Sequence, residues 1–361
     1  MLRLHLLSNR RRLAPVFPLM TGPSPKSYCN RIPARSPMAG APVVTATSAM
    51  PHKVYATGDH LLRDLYDMIR AQGEPFGSMS IYARYRVFGS DREKGVVVTL
   101  DGQGADEMFA GYDGYSTQRL YSVFERRRLW AAKRFLDGWA RWPNRSTHAA
   151  AKETAAQFVR RHFQVVLNEY ESRASPAPDA EAFAKRSVTV RYSRVRVSGV
   201  RSRWLSSYLW SRLTSRRLPA LLRHGDRNPM HFSIESRVPF LDTSLTEPAF
   251  GSPKEFLISE RDESKHIFRR GMQDFVPDEI LDRRDKIGFV TPESSWLDSF
   301  RHSIFNSGWG GDTRIGFLNT SRRVATVALS APDSNLGLGS GGFWRVVNLK
   351  PWVELFDVEA S

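Results

Sequence analysis

Residues 96–112 restrict the fold more than any other part of this chain, because a β-branched apolar run leads directly into a glycine-bearing acidic turn. The run at 96–100 predicts a strand covered on both faces, as in a parallel sheet. Gly102 and Gly104 let the backbone turn sharply after it. In open α/β sheets, ligands bind beyond the carboxyl ends of the strands, and the next helix presents its N-terminal amides to anions. The turn is therefore a candidate ligand site.

Acidic side chains surround the two glycines of this turn. Asp101, Asp106 and Glu107 offer hard oxygen atoms, which suit magnesium carrying a nucleotide phosphate. An acidic N-cap after a tight turn is the competing interpretation, and these residues alone leave both open.

Local patterns predict a helix–strand–turn–helix order around the turn. Apolar spacing predicts a helix at 59–72, capped by Asp59 and ended by Glu74 and Pro75, and a second helix at 78–94. After Tyr115 the patterns are helical as far as residue 172. A linker follows at 172–178, and helices resume near residue 180 and at 204–222.

The block at 96–112 resembles the glycine-acid motif of the asparagine synthetase family, in its ATP-dependent synthetase domain. Further motifs that resemble the family lie in the family's order within residues 53–356, one upstream of this block and five downstream. They lie at 72–78, 227–230, 233–242, 264–269, 284–289 and 343–349. Chance does not place so many long motifs in the right order.

This resemblance implies an α/β fold. Its first part is an incomplete parallel-sheet core of the ATP-pyrophosphatase-like (adenine nucleotide alpha hydrolase-like) type, and a mainly helical part follows. Residues 53–357 form the expected synthetase-like domain. Residues 1–52 form a basic leader without any acidic residue. Three interpretations of the leader stay open: a disordered segment, a transit-peptide-like segment, or translation upstream of a truncated or frame-disrupted gene.

Two parts of the family pattern have no counterpart here. Family members carry a Ser-Gly-Gly-x-Asp-Ser loop that grips the pyrophosphate end of ATP and supplies a second magnesium carboxylate, and residues 1–95 contain no such sequence. Their glutaminase half depends on an N-terminal cysteine, whereas the single cysteine of this chain, Cys29, is internal. We therefore expect a domain truncated on its N-terminal side, impaired in synthesis and unable to hydrolyse glutamine. A separate glutaminase chain, or a chain carrying the phosphate loop, is the partner that this gap implies.

The chemistry implied by the resemblance is amidation of aspartate to asparagine through an acyl-adenylate, with ATP and Mg2+ as cofactors. The amine is ammonia or glutamine-derived ammonia. Lys286 is the expected catalytic residue, and Lys265 is a second cation on pyrophosphate or substrate. Gln103 occupies the position tied to formation and use of the acyl-adenylate, where some relatives carry glutamate. An amide orients a substrate but cannot accept a proton.

The resemblance also assigns binding roles. Asp106 is the expected magnesium carboxylate, and the expected nucleotide contacts are Asp101, Gly102 and Gly104. Glu235 and Arg237 fall in the substrate-side motif, and a buried structural ion pair is the competing interpretation. Asp242, after residues 239–241, is expected to be a turn or cap residue.

Charge and composition leave further alternatives. The net charge of +16 favours anionic partners. Arginines at 126–128, 160–161 and between 186 and 203 lie among aromatic residues, which is typical of nucleic-acid binding, but a solvated arginine-rich surface is the preferred interpretation. No segment is apolar enough to span a bilayer, and a single cysteine indicates a reducing compartment such as the cytoplasm. Two other functions stay open: a non-catalytic remnant that binds a partner, or an amidotransferase acting on a sugar or other carboxylate.

Overall fold

The computed structural model describes residues 19–20, 52–54, 56–125, 129–141, 147–148, 203–284, 291, 296 and 340–358. Within them, helices predominate and the strands form parallel pairs, so the predicted α/β class is confirmed. Strand β1 (Leu19–Met20) pairs with β2 (Lys53–Val54). Strand β3 (Val98–Leu100) pairs with β4 (Glu235–Arg237), and Leu100 lies opposite Arg237. The leader thus contributes a short strand that its sequence pattern did not predict.

The helices are named in chain order. They are α1 (Gly58–Gln72), α2 (Ser80–Glu93), α3 (Ala105–Met108), α4 (Asp113–Glu125), α5 (Leu129–Trp139), α6 (Trp204–Ser211), α7 (Leu218–His231), α8 (Thr243–Gly251), α9 (Lys254–Leu257), α10 (His266–Gly271), α11 (Asp278–Leu281) and α12 (Ser340–Phe356). A π-helical turn (Arg212–Arg216) separates α6 from α7, and a 3-10 turn (Pro239–Leu241) follows β4.

Strand β3 is less covered than its sequence predicted. The parallel pairing is correct, but Val97 and Leu100 are 54% and 46% exposed, so burial on both faces is wrong. Val96 and Thr99 are buried, at 8% and 2%. The reason is that, in the described part of the chain, β3 has β4 as its only sheet neighbour. Two apolar side chains, Val97 and Leu100, therefore reach solvent close to the acidic turn.

Helix α1 has the predicted amphipathic pattern and a different cap. Leu61 and Leu65 are buried, whereas Leu62 on the other side is 40% exposed. The N-cap is Thr57 rather than Asp59, because the Thr57 hydroxyl accepts a hydrogen bond from the His60 amide at 3.3 Å. Asp59 instead lies in the first turn, where its charge favours the helix dipole.

The first hydrophobic core joins α1, α2 and α12. Trp344 of α12 is fully buried there, and its ring centroid lies 5.5 Å from that of Phe76. The Asn348 side chain, also buried, accepts from the Phe76 amide at 3.2 Å and donates to the Phe76 carbonyl at 2.7 Å. These contacts fasten the C-terminal helix to the segment after α1, so the motif at 343–349 has a structural use.

A buried amide pair attaches α7 to the same core. Gln72 Nε2 donates to Asn228 Oδ1 at 2.6 Å, and Asn228 Nδ2 donates to the Ile81 carbonyl at 2.9 Å. Both amide side chains are fully buried. A buried polar group without a partner costs about 1–3 kcal/mol, so this network fixes how α1, α2 and α7 meet.

The second hydrophobic core lies among α4, α5, α6, α8 and α9. It confirms the predicted helical character after Tyr115 within the described part. The predicted helix at 204–222 is interrupted at the π-helical turn, where the Arg217 amide donates to the Arg212 carbonyl at 3.2 Å. Pro219 fits the first turn of α7 because its missing amide hydrogen is not needed there.

Several sequence predictions fall on other segments. The linker at 172–178, the helix near residue 180, Cys29, Lys286 and all the arginine clusters except Arg203 lie outside the described residues. No helix in the described part combines the length and apolar composition needed to cross a lipid bilayer.

Candidate active site at the carboxyl end of strand β3

The turn between β3 and α3 is held in place by Asp101. Its amide donates to the Arg237 carbonyl at 2.7 Å, which extends the sheet pairing beyond Leu100. Its carboxylate Oδ1 accepts from the Gln103 amide at 3.2 Å and so closes the turn. Such a local bond is typical of aspartate at tight turns. The position predicted to contact nucleotide is thus also the position that shapes the turn.

The two glycines of the turn differ in what they contribute. Gly104 has φ +96°, and a Cβ there would overlap the Leu241 side chain. Gly102 has no such backbone requirement, and a Cβ there would come only within 4.0 Å of Phe240. The sharp change of direction therefore depends on the positive φ of Gly104, and the backbone at Gly102 does not require glycine.

Arg84, on α2, is a site residue that the sequence analysis missed. Its guanidinium forms an ion pair with the Asp101 carboxylate, and Nη1 lies 3.5 Å from Gln103 Oε1. The Arg84 side chain is 13% exposed. Because its helix precedes β3 and carries no site motif, nothing in the local pattern indicates this contact.

Asp106 and Lys265 meet across the site. Lys265 Nζ lies 2.6 Å from Asp106 Oδ1, and the Lys265 amide donates to the Phe109 carbonyl at 3.1 Å. Gly111 makes the meeting possible, because a Cβ there would overlap both the Asp106 carboxylate and the Lys265 side chain. The structure therefore brings together the predicted metal carboxylate and a predicted cation from distant motifs.

Glu235 and Arg237 lie on the neighbouring strand. They form an ion pair at 2.8 Å with side chains 58% and 61% exposed, so the pair is on the surface and the buried alternative is wrong. The Arg237 hydrogen bond lowers the pKa of the Glu235 carboxylate. Their strand ends beside Asp101, but a role in substrate binding stays a prediction. Asp242 is the N-cap of α8, as expected, and accepts from the Ser244 amide at 2.8 Å.

The donor set suits a phosphate-borne magnesium ion. No group of three histidine, cysteine, aspartate or glutamate side chains is arranged to hold a metal within the described residues. Mg2+ is usually held by one or two protein carboxylates together with water and phosphate oxygens. Asp106, 15% exposed, supplies one such carboxylate. The site therefore fits magnesium that arrives with a nucleotide, and Lys265 balances the carboxylate charge.

The Glu107 side chain points away from the metal site predicted at Asp106. Its carboxylate is fully buried, and the Arg217 Nε atom lies 3.8 Å from Oε1. The Arg217 guanidinium stacks over the Tyr112 ring at 4.4 Å. Side chains of successive helix residues point about 100° apart, so the Asp106 and Glu107 carboxylates cannot both face the proposed magnesium site. The prediction that Glu107 offers a metal oxygen is therefore wrong.

Burial makes the Glu107 charge unfavourable and predicts a pH effect. Loss of hydration raises the pKa of this carboxyl group above its ordinary value of 4.5. The native state therefore binds this proton more tightly than the unfolded chain does. The stability that this difference contributes is present at low pH and is lost as pH rises through the raised pKa of the native state. We expect Glu107→Gln to increase the free energy of unfolding at pH 8, with a smaller gain at pH 5, by urea denaturation.

A matched control is the exposed Glu93→Gln, which should show no such difference between the two pH values. An equal gain for Glu107→Gln at pH 5 and pH 8 would contradict the assignment.

Comparison of this sequence with known protein families and curated proteins finds similarity to asparagine synthases. The family model described as asparagine synthase matches residues 38–335, a range that contains all the predicted site residues. Asparagine synthetase [glutamine-hydrolyzing] 1 of Bacillus subtilis (strain 168) is 26% identical over 219 residues, which cover 57% of this chain and 32% of the relative. Asparagine synthetase [glutamine-hydrolyzing] 3 of the same organism is 26% identical over 259 residues, covering 69% and 36%. The chain spans about a third of the length of these curated relatives. Because the family match extends over most of its residues, the chain belongs to the asparagine synthase family.

Proposed function

We propose that this chain is a synthetase-type domain that uses ATP to amidate a carboxylate, with aspartate as the substrate. The observation that carries the proposal is the pairing of Asp106 with Lys265 beside the Asp101 turn at the carboxyl end of β3. Membership of the family and the names of the curated relatives support it. The core would then be of the ATP-pyrophosphatase-like type.

The reaction requires positive charge at this edge. A carboxylate is a poor acyl donor, so it would attack the α-phosphate of Mg-ATP, expel pyrophosphate and become an acyl-adenylate. Ammonia would then attack the acyl carbon, displace AMP and lose a proton. Lys265 and Arg84, each held by an ion pair with an aspartate, would present their cationic groups where negative charge develops, and such preorganised groups stabilise transition states strongly. Asp106 would hold the metal, and Lys286 is the further cation we propose at the reacting centre. Gln103, beside Arg84, would orient the substrate without accepting a proton.

Nucleotide binding gives the first test. In Gly111→Ala the new methyl group displaces the Asp106 carboxylate and Lys265, so we expect Mg-ATP affinity to fall by about tenfold, or ~1.4 kcal/mol, in calorimetry. Gly114→Ala is the matched control, because no atom lies within 4 Å of its new Cβ. Equal affinities in the two variants, or no binding of Mg-ATP by the parent chain, would contradict the proposed site.

Turnover is a separate property. The 361 residues contain no Ser-Gly-Gly-x-Asp-Ser sequence, so Asp106 lacks the second carboxylate that this loop supplies in family members. Losing such a group costs several kcal/mol of transition-state stabilisation, or orders of magnitude in rate. We therefore propose weak or absent ATP–pyrophosphate exchange by this chain alone. Robust aspartate-dependent exchange by the chain alone would overturn the proposal that turnover is weak or absent. The partner that we propose is a separate chain that supplies the phosphate loop or glutamine-derived ammonia.

One observation favours a second candidate, a protein that binds a partner rather than a substrate. Val97 and Leu100 expose apolar surface on β3, where a further strand could pack. Light scattering on the sample used for nucleotide binding separates the two candidates. A monomer that binds Mg-ATP supports the synthetase, and a chain that associates without binding nucleotide supports the partner-binding protein.

A further inference from the structure

A cavity lies away from the β3 turn, between α5, α9, α10 and the loop at 259–263. Its volume is about 610 Å³, and none of the residues assigned to the candidate active site lines it. Volumes of about 300–1,000 Å³ are typical of small-molecule sites. Its lining is rich in arginine, so we call it the arginine cavity. The six arginines on its wall are Arg134, Arg141, Arg261, Arg269, Arg270 and Arg284.

Three of these arginines already have partners. Arg134 forms an ion pair with Glu260 at 2.6 Å, and Arg270 lies 3.8 Å from Glu263. Arg269 donates to the Ser264 and Arg283 carbonyls, each at 2.9 Å, and to the Leu281 carbonyl. Arg269 therefore builds the wall, by fastening α10 to the end of α11, and is not available to a ligand.

The glutamates of the wall are occupied in the same way. Glu255 pairs with the buried Arg119 at 3.2 Å, and Glu263 pairs with His266 at 2.6 Å. In the described part of the chain, Arg141, Arg261 and Arg284 have no ion pair or side-chain hydrogen bond to any acid or carbonyl. Among the described residues, these three guanidinium groups have no ion-pair partner, and Asp282 is the remaining acid on the wall.

The backbone that carries Arg261 is firmly placed. A Cβ at Gly138 of α5 would overlap the Arg261 carbonyl, so helix and loop are in direct backbone contact there. The Ser259 hydroxyl accepts from the Arg261 amide at 3.2 Å and from the Glu263 amide at 3.1 Å. A preorganised support lowers the cost of ordering a side chain around a ligand.

We propose that the arginine cavity binds a phosphate-bearing small molecule of nucleotide size. Guanidinium groups match phosphate oxygens with paired hydrogen bonds, and an anion relieves the mutual repulsion of the three arginines. Phe256, 46% exposed, lines the same wall and offers an aromatic face to a base or another planar group. His266 also lines the cavity and directly follows Lys265, so the occupant would touch the helix next to the site cation.

The test uses AMP as the probe and inorganic phosphate as the competitor, at a fixed ionic strength of about 0.15 M, where distant charges are screened. In calorimetry on the full chain, Arg261→Glu and Arg284→Glu should each weaken AMP binding at least tenfold. Arg92→Glu, an exposed arginine of α2, makes the same charge change elsewhere and should alter the affinity less than twofold. Far-UV circular dichroism verifies that every variant is folded.

Gly104→Ala separates this site from the proposed active site, because its new methyl group meets Leu241 beside the β3 turn and no residue that lines the arginine cavity. AMP binding that survives Gly104→Ala and is lost in Arg261→Glu supports the arginine cavity. Equal losses in Arg261→Glu and Arg92→Glu would show that only the overall positive charge attracts the probe, and would overturn the proposal. Loss of AMP binding in Gly104→Ala but not in Arg261→Glu would also overturn the arginine cavity. That result would place AMP at the β3 turn and would agree with the proposed synthetase site.

Discussion

Trp344→Ala is expected to lower the free energy of unfolding by about 3–5 kcal/mol, the usual cost of removing a large aromatic side chain from a core. Trp344 is fully buried between α12 and the segment after α1, where it packs on Phe76. Its loss leaves a cavity at the place where α12 enters the first core with a fully buried tryptophan. The Asn348 bonds to the Phe76 backbone hold the helix in place, so the cavity cannot close by a simple shift.

Urea denaturation followed by far-UV circular dichroism measures this change. Trp130→Ala is the matched control, because Trp130 is 82% exposed and a surface substitution usually changes stability by no more than about 0.5 kcal/mol. Similar losses in the two variants would mean that α12 does not form part of the core.

Gly104→Ala is expected to destabilise the protein by about 2–5 kcal/mol. A side chain in left-handed backbone costs about 1–2 kcal/mol, and forcing a group into occupied space costs about 1–3 kcal/mol more. Gly104 meets both conditions, since its φ is +96° and Leu241 fills the space beside it. We also expect Mg-ATP binding to be lost, because the turn carries Asp101 and Gln103.

Gly102→Ala is the control for Gly104→Ala, two residues away in the same turn. Its Cβ meets only Phe240 at 4.0 Å, an ordinary contact, so we expect a loss below about 1 kcal/mol by the same urea measurement. If Gly102→Ala were the more damaging change, the geometry of the turn described above would be wrong.

The sequence predicted the elements whose signals are local. The apolar spacing of α1, the stop at Glu74 and Pro75 and the β-branched run of β3 each act within a few residues, and the structure confirms them with small differences. The cap of α1 was misplaced by two residues because threonine and aspartate both suit that position. The order of the family motifs likewise indicated the family before any coordinates.

Contacts between segments that are distant along the chain could not be predicted from the sequence. Arg84 reaches Asp101 from a helix without a site motif, and Asn348 holds the Phe76 backbone from the far end of the chain. No local pattern encodes such pairs, because they exist only once β3, α2 and α12 have packed. For the same reason the burial of Val97 and Leu100 was overestimated, since a strand's composition does not say how many neighbours it has.

By itself, the sequence determined α1, α2, strand β3, the acidic turn and the family, since these depend on periodicity, glycine and motif order along the chain. Only the tertiary structure decided which charges meet. It placed Lys265 on Asp106, turned Glu107 into the core and left three arginines of one cavity without an ion pair to any described residue. The physical reason is that ion pairing and burial depend on distance in space, which packing sets and spacing along the chain does not.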